Sequence, residues 1–197
     1  MDYRNYKASR DLAWQVLINE KVDRLPVSAG ELCKSMGIQI IFFDPPDGSD
    51  GCSMIVGGQP TILLRSDCPN ERLRFTAAHE LGHILLGHVG QYQLVNREPP
   101  PNDNPIEQAA NIFASRLLAP ACVLWGCNVR RAEDIMSLCQ ISRKAATYRA
   151  ERMAVLYQRK KFLTSPLERQ VYQQFLPFIK KNKWRYLIHN LKHLAFD

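Results

Sequence analysis

No apolar run in this 197-residue chain approaches the roughly 20 residues that span a bilayer, and its opening, Met1-Asp-Tyr-Arg-Asn-Tyr-Lys7, lacks the apolar stretch of a signal peptide. Neither a membrane protein nor an exported one is expected, and the cytoplasm is the expected compartment. CxxC spacing is absent too, the six cysteines standing at 33, 52, 68, 122, 127 and 139. Without an export signal, and with enough chain to build a core, reduced thiols are expected in place of a disulfide framework. Cys122 and Cys127 read as small packing residues and not as a metal pair. There is no internal repeat, no low-complexity stretch and no local Ser/His/Asp or Cys/His motif of a nucleophilic enzyme. Acidic residues are scarce in one region only. Positions 1–142 hold 13 Lys and Arg against 16 Asp and Glu, whereas 143–197 hold 13 against 3, so the overall charge of +7 comes from the C-terminal part. An acidic or nucleic-acid partner for that part, or only a solvated basic face, is what such a split implies.

What is present is a globular composition, 46% apolar and 23% charged, enough for one compact domain with a core and a short appendage. Apolar residues from Leu12 to Ile18 recur at helical spacing, predicting a helix from about Tyr6 to Asn19. Ser28 as N-cap, Glu31 as its capping-box partner and Gly37 as a stop predict a second, short helix. Ile38-Gln-Ile-Ile-Phe-Phe43, closed by Asp44-Pro-Pro-Asp-Gly48, reads as a buried strand. Cys52–Val56 and Thr61–Arg65 flank Gly57-Gly58-Gln59-Pro60, predicting a hairpin with a four-residue loop. From Asn70 the pattern turns helical, with Leu73, Ala77, Leu81, Ile84 and Leu85 forming the stripe until Gly87. A proline-rich loop, Pro99 to Pro105, precedes another helix, Ile106 to Leu118, stopped by Pro120. Glu133–Cys139 and Arg143–Tyr157, joined at Gln140-Ile-Ser142 with Ser142 as N-cap, resemble a helix-turn-helix. Two amphipathic segments finish the chain, one carrying Leu167, Val171, Phe175 and Phe178, the other Trp184, Leu187, Ile188, Leu191 and Leu194. The class is α+β, with a short three-stranded sheet.

The strongest chemical signal is His79-Glu-Leu-Gly-His83. Two histidines four apart on a helix differ by only about 40° in direction, so both can grip one ion. Zinc suits imidazole, and three protein ligands leave it a fourth position for water. Glu80 lies about 100° around from His79, placed to take a proton from that water and not to bind the metal. A third ligand must come from elsewhere. Glu107 is the first choice, because Glu107-Gln-Ala-Ala-Asn111 opens the next helix with Glu and Asn on one face and small residues between. Asn111 is then placed to orient a ligand. His88 and Asp103 compete as third ligand, although continued helix geometry would turn His88 about 180° away from His79. His189 and His193 repeat the spacing with no acid between them and are weaker.

Arg74-Phe-Thr-Ala-Ala-His-Glu-Leu-Gly-His-Ile-Leu-Leu-Gly-His88, followed by Glu107-Gln-Ala-Ala-Asn-Ile-Phe-Ala-Ser-Arg-Leu-Leu-Ala-Pro120, resembles the ImmA/IrrE family of zinc metallopeptidases. The resemblance covers about residues 8–157 and includes Leu25-Pro-Val27, Met36-Gly-Ile38, Ile141-Ser142 and Ala145, Ala146 and Arg149. It implies a gluzincin-like core with zinc on His79, His83 and Glu107, a catalytic carboxylate at Glu80, and a helix-turn-helix-like segment packed beside the core. The family's best-known members act on DNA-binding repressors in phage-like elements or radiation-response circuits. The expected division is a peptidase core over 1–125, the helix-turn-helix-like segment over 126–160 and the basic tail over 161–197. The Pro99–Pro105 loop and the tail have no counterpart in the resemblance.

A cytoplasmic zinc endopeptidase that cleaves a regulatory protein, a DNA-binding repressor, is therefore expected. One strand of the 52–65 hairpin is expected to pair with an extended substrate. The rival is a binding module that holds a repressor or DNA without turnover, which would have no need of Glu80. Direct DNA binding would use Arg143, Lys144, Arg149 and Arg152 on phosphates.

Overall fold

The computed structural model describes residues 3–44, 48–89 and 104–194, and for residues 3 and 187–194 the backbone only. It is α+β: nine helices and one three-stranded mixed sheet among the described residues. The elements are α1 (Tyr3–Asn19), α2 (Ala29–Ser35), β1 (Gln39–Phe43), β2 (Gly51–Val56), β3 (Gln59–Arg65), α3 (Asn70–Leu85), α4 (Pro105–Leu118), α5 (Ala121–Gly126), α6 (Ala132–Cys139), α7 (Arg143–Gln158), α8 (Pro166–Gln174) and α9 (Leu176–Leu194). The chain divides into two compact units, Met1–Ala13 with Ser28–Ser115, and Trp14–Val27 with Arg116–Asp197.

In the first unit the strand order is β1-β3-β2, with β1 parallel and β2 antiparallel to β3. Ile62 and Leu64 on β3 are buried, as are Ala77, Ala78 and Leu81 on α3 and Phe113 on α4. Ser28 caps α2 by accepting from the Glu31 amide at 3.3 Å, as the sequence implies. The hairpin corrects the expected loop length. Gly57 and Gly58 both have positive φ, 57° and 83°, so a two-residue turn closes it and Gln59 and Pro60 already belong to β3. Pro60 is tolerated there because pairing with β1 begins one residue later, at Gln39 with Thr61. β1 is not the buried strand expected from its composition. It is an edge strand, and Ile41 and Phe42 are 40% and 58% exposed.

In the second unit Leu124, Ile135, Met153, Val171 and Phe175 are fully buried. α6 ends at Gln140 in the left-handed region, and Ser142 accepts from the Ala145 amide to cap α7. Tyr148, Arg143 and Lys144 lie exposed on α7. Arg149, which the alternative of direct DNA binding would set on phosphates, is buried, its Nε donating to the Ala119 carbonyl at 2.7 Å. The tail docks within this unit: α8 and α9 pack on α5, where a Cβ at Gly126 would meet Tyr172 Cε2 at 2.8 Å and Ile179 at 3.0 Å. Trp184 departs from the expected stripe. It is 66% exposed, while Ile179 and Tyr186 take the inward positions.

The stretch Pro105–Gly126 is long enough, and on average apolar enough, to cross a membrane, although Glu107, Gln108, Asn111, Ser115 and Arg116 interrupt it and it is no continuous apolar run. Most of it is buried, as in a core helix, and it breaks at Ala119-Pro120 between α4 and α5. All six cysteines are free thiols, five of them buried. Burial pushes the Cys127 thiol up to about 12 and raises Cys122 further, which suits packing residues.

Candidate metal centre

α3 supplies most of the site, and two close approaches set its position. At Gly51 an added Cβ would fall 2.6 Å from the Leu63 carbonyl oxygen and 2.8 Å from Thr76 Cγ2, so only glycine lets β2 lie this close to α3. Two residues along the strand and four along the helix return to the same faces. Ser53 therefore meets Glu80, its Oγ donating to Glu80 Oε2 at 2.9 Å. Ser53 pairs with the buried Ile62, which confirms that it points to the helix side of the sheet. On the other flank, Gly82 touches Phe113 of α4, where a Cβ would lie 2.9 Å from the ring.

His79 and His83 are both 5% exposed and Glu80 is 2% exposed. The two Nε2 atoms are 3.0 Å apart, and Glu107 Oε2 and Oε1 lie 3.2 Å and 3.3 Å from the Nε2 of His79 and of His83. Among the described residues these three form the group of side chains that could hold a metal ion, with all ligand atoms within 4.8 Å of one another. The imidazoles of His79 first and His83 second hold the Glu107 carboxyl well below the usual carboxylate range, burial opposing them. It is an anion at neutral pH, as a ligand must be.

Asn111 lies one turn beyond Glu107 on α4, and its Oδ1 is 3.0 Å from His79 Nδ1. An amide oxygen only accepts, so His79 Nδ1 donates to it, and in the neutral ring this leaves the lone pair on Nε2, on the side of Glu107 and His83. Together with the Glu107 carboxylate, the two Nε2 atoms could hold a cation.

The residues predicted from sequence, His79, Glu80, His83, Glu107 and Asn111, are thus together. His88 does not take the third-ligand position. Its Nδ1 faces His83 Nδ1 at 3.0 Å, on the side of the ring away from Glu107, and burial first, then His83, push its imidazole below the ordinary value. The sequence carried one signal for this placement, Gly87, whose φ of 73° folds the chain back. Ser53 had no local signal at all. Asp103 lies outside the described residues, as do the side chains of His189 and His193.

A family model described as Peptidase_M78, the IrrE N-terminal-like domain, matches residues 33–151. No curated protein matches the chain.

Proposed function

Because this chain belongs to the peptidase family of the IrrE N-terminal-like domain, we propose that it is a zinc-dependent endopeptidase whose substrate is one regulatory protein, a DNA-binding repressor of a phage or mobile element. The family is one of metallopeptidases, so a protein substrate is implied. The spacing of His79, His83 and Glu107 carries the zinc assignment. Zinc–ligand bonds of about 2.0–2.1 Å at the tetrahedral angle place ligand atoms about 3.3–3.4 Å apart. The observed separations of 3.0, 3.2 and 3.3 Å are within a few tenths of that edge. Two imidazoles and a carboxylate are also a donor set of catalytic zinc. Zinc held there supplies Lewis acidity toward a peptide carbonyl and toward water.

The chain's own groups do the rest. Glu80 takes a proton from the attacking water as its oxygen adds to the carbonyl carbon. Its carboxylic acid then gives that proton to the departing amine nitrogen as the C–N bond breaks. Ser53 Oγ, donating to Glu80 Oε2, keeps the carboxylate turned to the site. β2 is the strand we assign to substrate pairing, since it is an edge of the sheet and carries Ser53 beside Glu80. A strand so placed accepts an extended, locally unfolded segment, and this would restrain cleavage to few targets.

The test uses Glu80→Gln as a substrate trap. Pulldown with that variant identifies the target, and the parent with zinc should then cut it into one or two defined fragments. The variant should keep its metal and give none. If Glu80→Gln inactivates the repressor as well as the parent does, and neither yields a fragment, the peptidase reading fails and a non-catalytic binding module replaces it.

A further inference from the structure

His88 stands outside the ligand set and outside the proton path, yet it touches a ligand. We propose that His88 is a positioning residue: it accepts a hydrogen bond from His83 Nδ1 and so fixes the tautomer and direction in which His83 offers Nε2 to the metal. The proposal rests on the zinc reading above and adds a residue to it.

The chain is built to deliver His88 to this place. After Leu85 the helix does not continue. Gly87 adopts a left-handed conformation, its amide donates to the Ile84 carbonyl at 3.1 Å, and the His88 amide donates to the His83 carbonyl at 2.9 Å. This is the Schellman arrangement, which closes a helix by reversing the chain over its last turn. An α-helix continued to position 88 would have pointed this side chain about 180° away from His79. The reversal instead brings ring to ring. The His83 and His88 centroids are 5.1 Å apart with planes at 66°, and the two Nδ1 atoms are 3.0 Å apart.

Protonation then has one consistent assignment. His83 Nε2 faces Glu107 Oε1 and His79 Nε2, and a metal ligand must present a lone pair there. The proton of the neutral ring is therefore on Nδ1, which donates, and His88 Nδ1 accepts with its own proton on Nε2. His79 is held in the same tautomer by a different acceptor, Asn111 Oδ1, at the same 3.0 Å. The two ligand histidines thus have matched outer partners, one from α4 and one from the chain reversal after α3. Groups in such places affect metal affinity by about 10–100-fold.

Zinc affinity of the full-length chain, measured by competition with a chromophoric chelator, separates the possibilities. His88→Ala removes the acceptor and should raise the zinc Kd by about 10–100-fold. His88→Asn restores an oxygen where Nδ1 stood, at the same distance along the side chain, and should recover most of the affinity. Thermal melts of the metal-free proteins report whether each variant folds. If the alanine variant does not, the asparagine variant and the visible spectrum of its cobalt form decide. Under the proposal that spectrum matches the parent's. Parent-like zinc affinity in His88→Ala overturns the proposal. Equal losses in both variants with an altered cobalt spectrum also overturn it, since asparagine lacks the imidazole a direct ligand would supply. A parent protein that takes up no zinc overturns the metal-centre reading itself, an outcome distinct from either.

Discussion

Replacing Gly82 with alanine should destabilise this protein, although the same change inside an isolated helix stabilises it. Gly82 lies within α3, where alanine is favoured over glycine by about 0.8–1.0 kcal/mol. A Cβ there would stand 2.9 Å from Phe113 Cδ1, 3.2 Å from Cγ and 3.3 Å from Cβ. Non-bonded carbons rest about 3.5–4.0 Å apart, so α4 must retreat by about 0.6 Å or the ring must leave its rotamer. Phe113 is fully buried and its Cβ is fixed to the backbone, which leaves little room for either. Over-packing of this kind costs about 1–3 kcal/mol. The middle of that range, less the helix gain, leaves a net loss of about 1 kcal/mol. The strain would also reach the proposed metal centre, because His83 follows Gly82 on α3 and meets Glu107 of α4 at 3.3 Å. If all of that 1 kcal/mol is expressed at the ligands, zinc affinity falls about fivefold. Urea unfolding of metal-free Gly82→Ala and parent should show a lower midpoint with unchanged slope, and chelator competition the weaker zinc binding. A variant more stable than the parent, with unaltered zinc affinity, would refute the view that the α3–α4 contact at Gly82 sets the ligand geometry.

Ser53→Ala should slow cleavage of the trapped substrate by about 10–100-fold, the equivalent of losing a hydrogen bond to a carboxylate, while zinc content stays at the parent level. Equal rates at matched zinc would show that Ser53 does not orient Glu80. Truncation after Thr164 removes Val171, Phe175 and Ile179, all buried, each contributing about 1.5–3 kcal/mol. The shortened protein should melt on the order of 10 °C or more lower, or fail to stay soluble. An unchanged melt would leave the tail a purely interacting segment.

Much of the site was legible because it depends on short-range geometry. The spacing of His79 and His83 fixes their relative direction on any helix, and the interval from Glu107 to Asn111 does the same for the carboxylate and the amide. Capping obeys equally local rules, and Ser28 and Ser142 both accept from the third residue onward. Failures occurred where burial depends on neighbours remote in sequence. β1 has the composition of a central strand, yet the order β1-β3-β2 leaves it at an edge with Phe42 outside. Trp184 sits on a helical stripe that composition alone marks as inward, yet Ile179, against Gly126 of α5, and Tyr186 are the buried residues of this helix among those described.

By itself, then, the sequence determined which residues could form a metal centre, that two helices would carry them, and that the chain is α+β, because periodicity and spacing act within a few turns. Only the tertiary structure decided that β2 lies against the site, since this depends on the absence of a Cβ at Gly51 opposite Thr76. Packing also withdrew Arg149 from the surface, where the Ala119 carbonyl required a buried donor. The reversal at Gly87 turned His88 from a rival ligand into a partner of His83, because a single left-handed residue redirects everything that follows it.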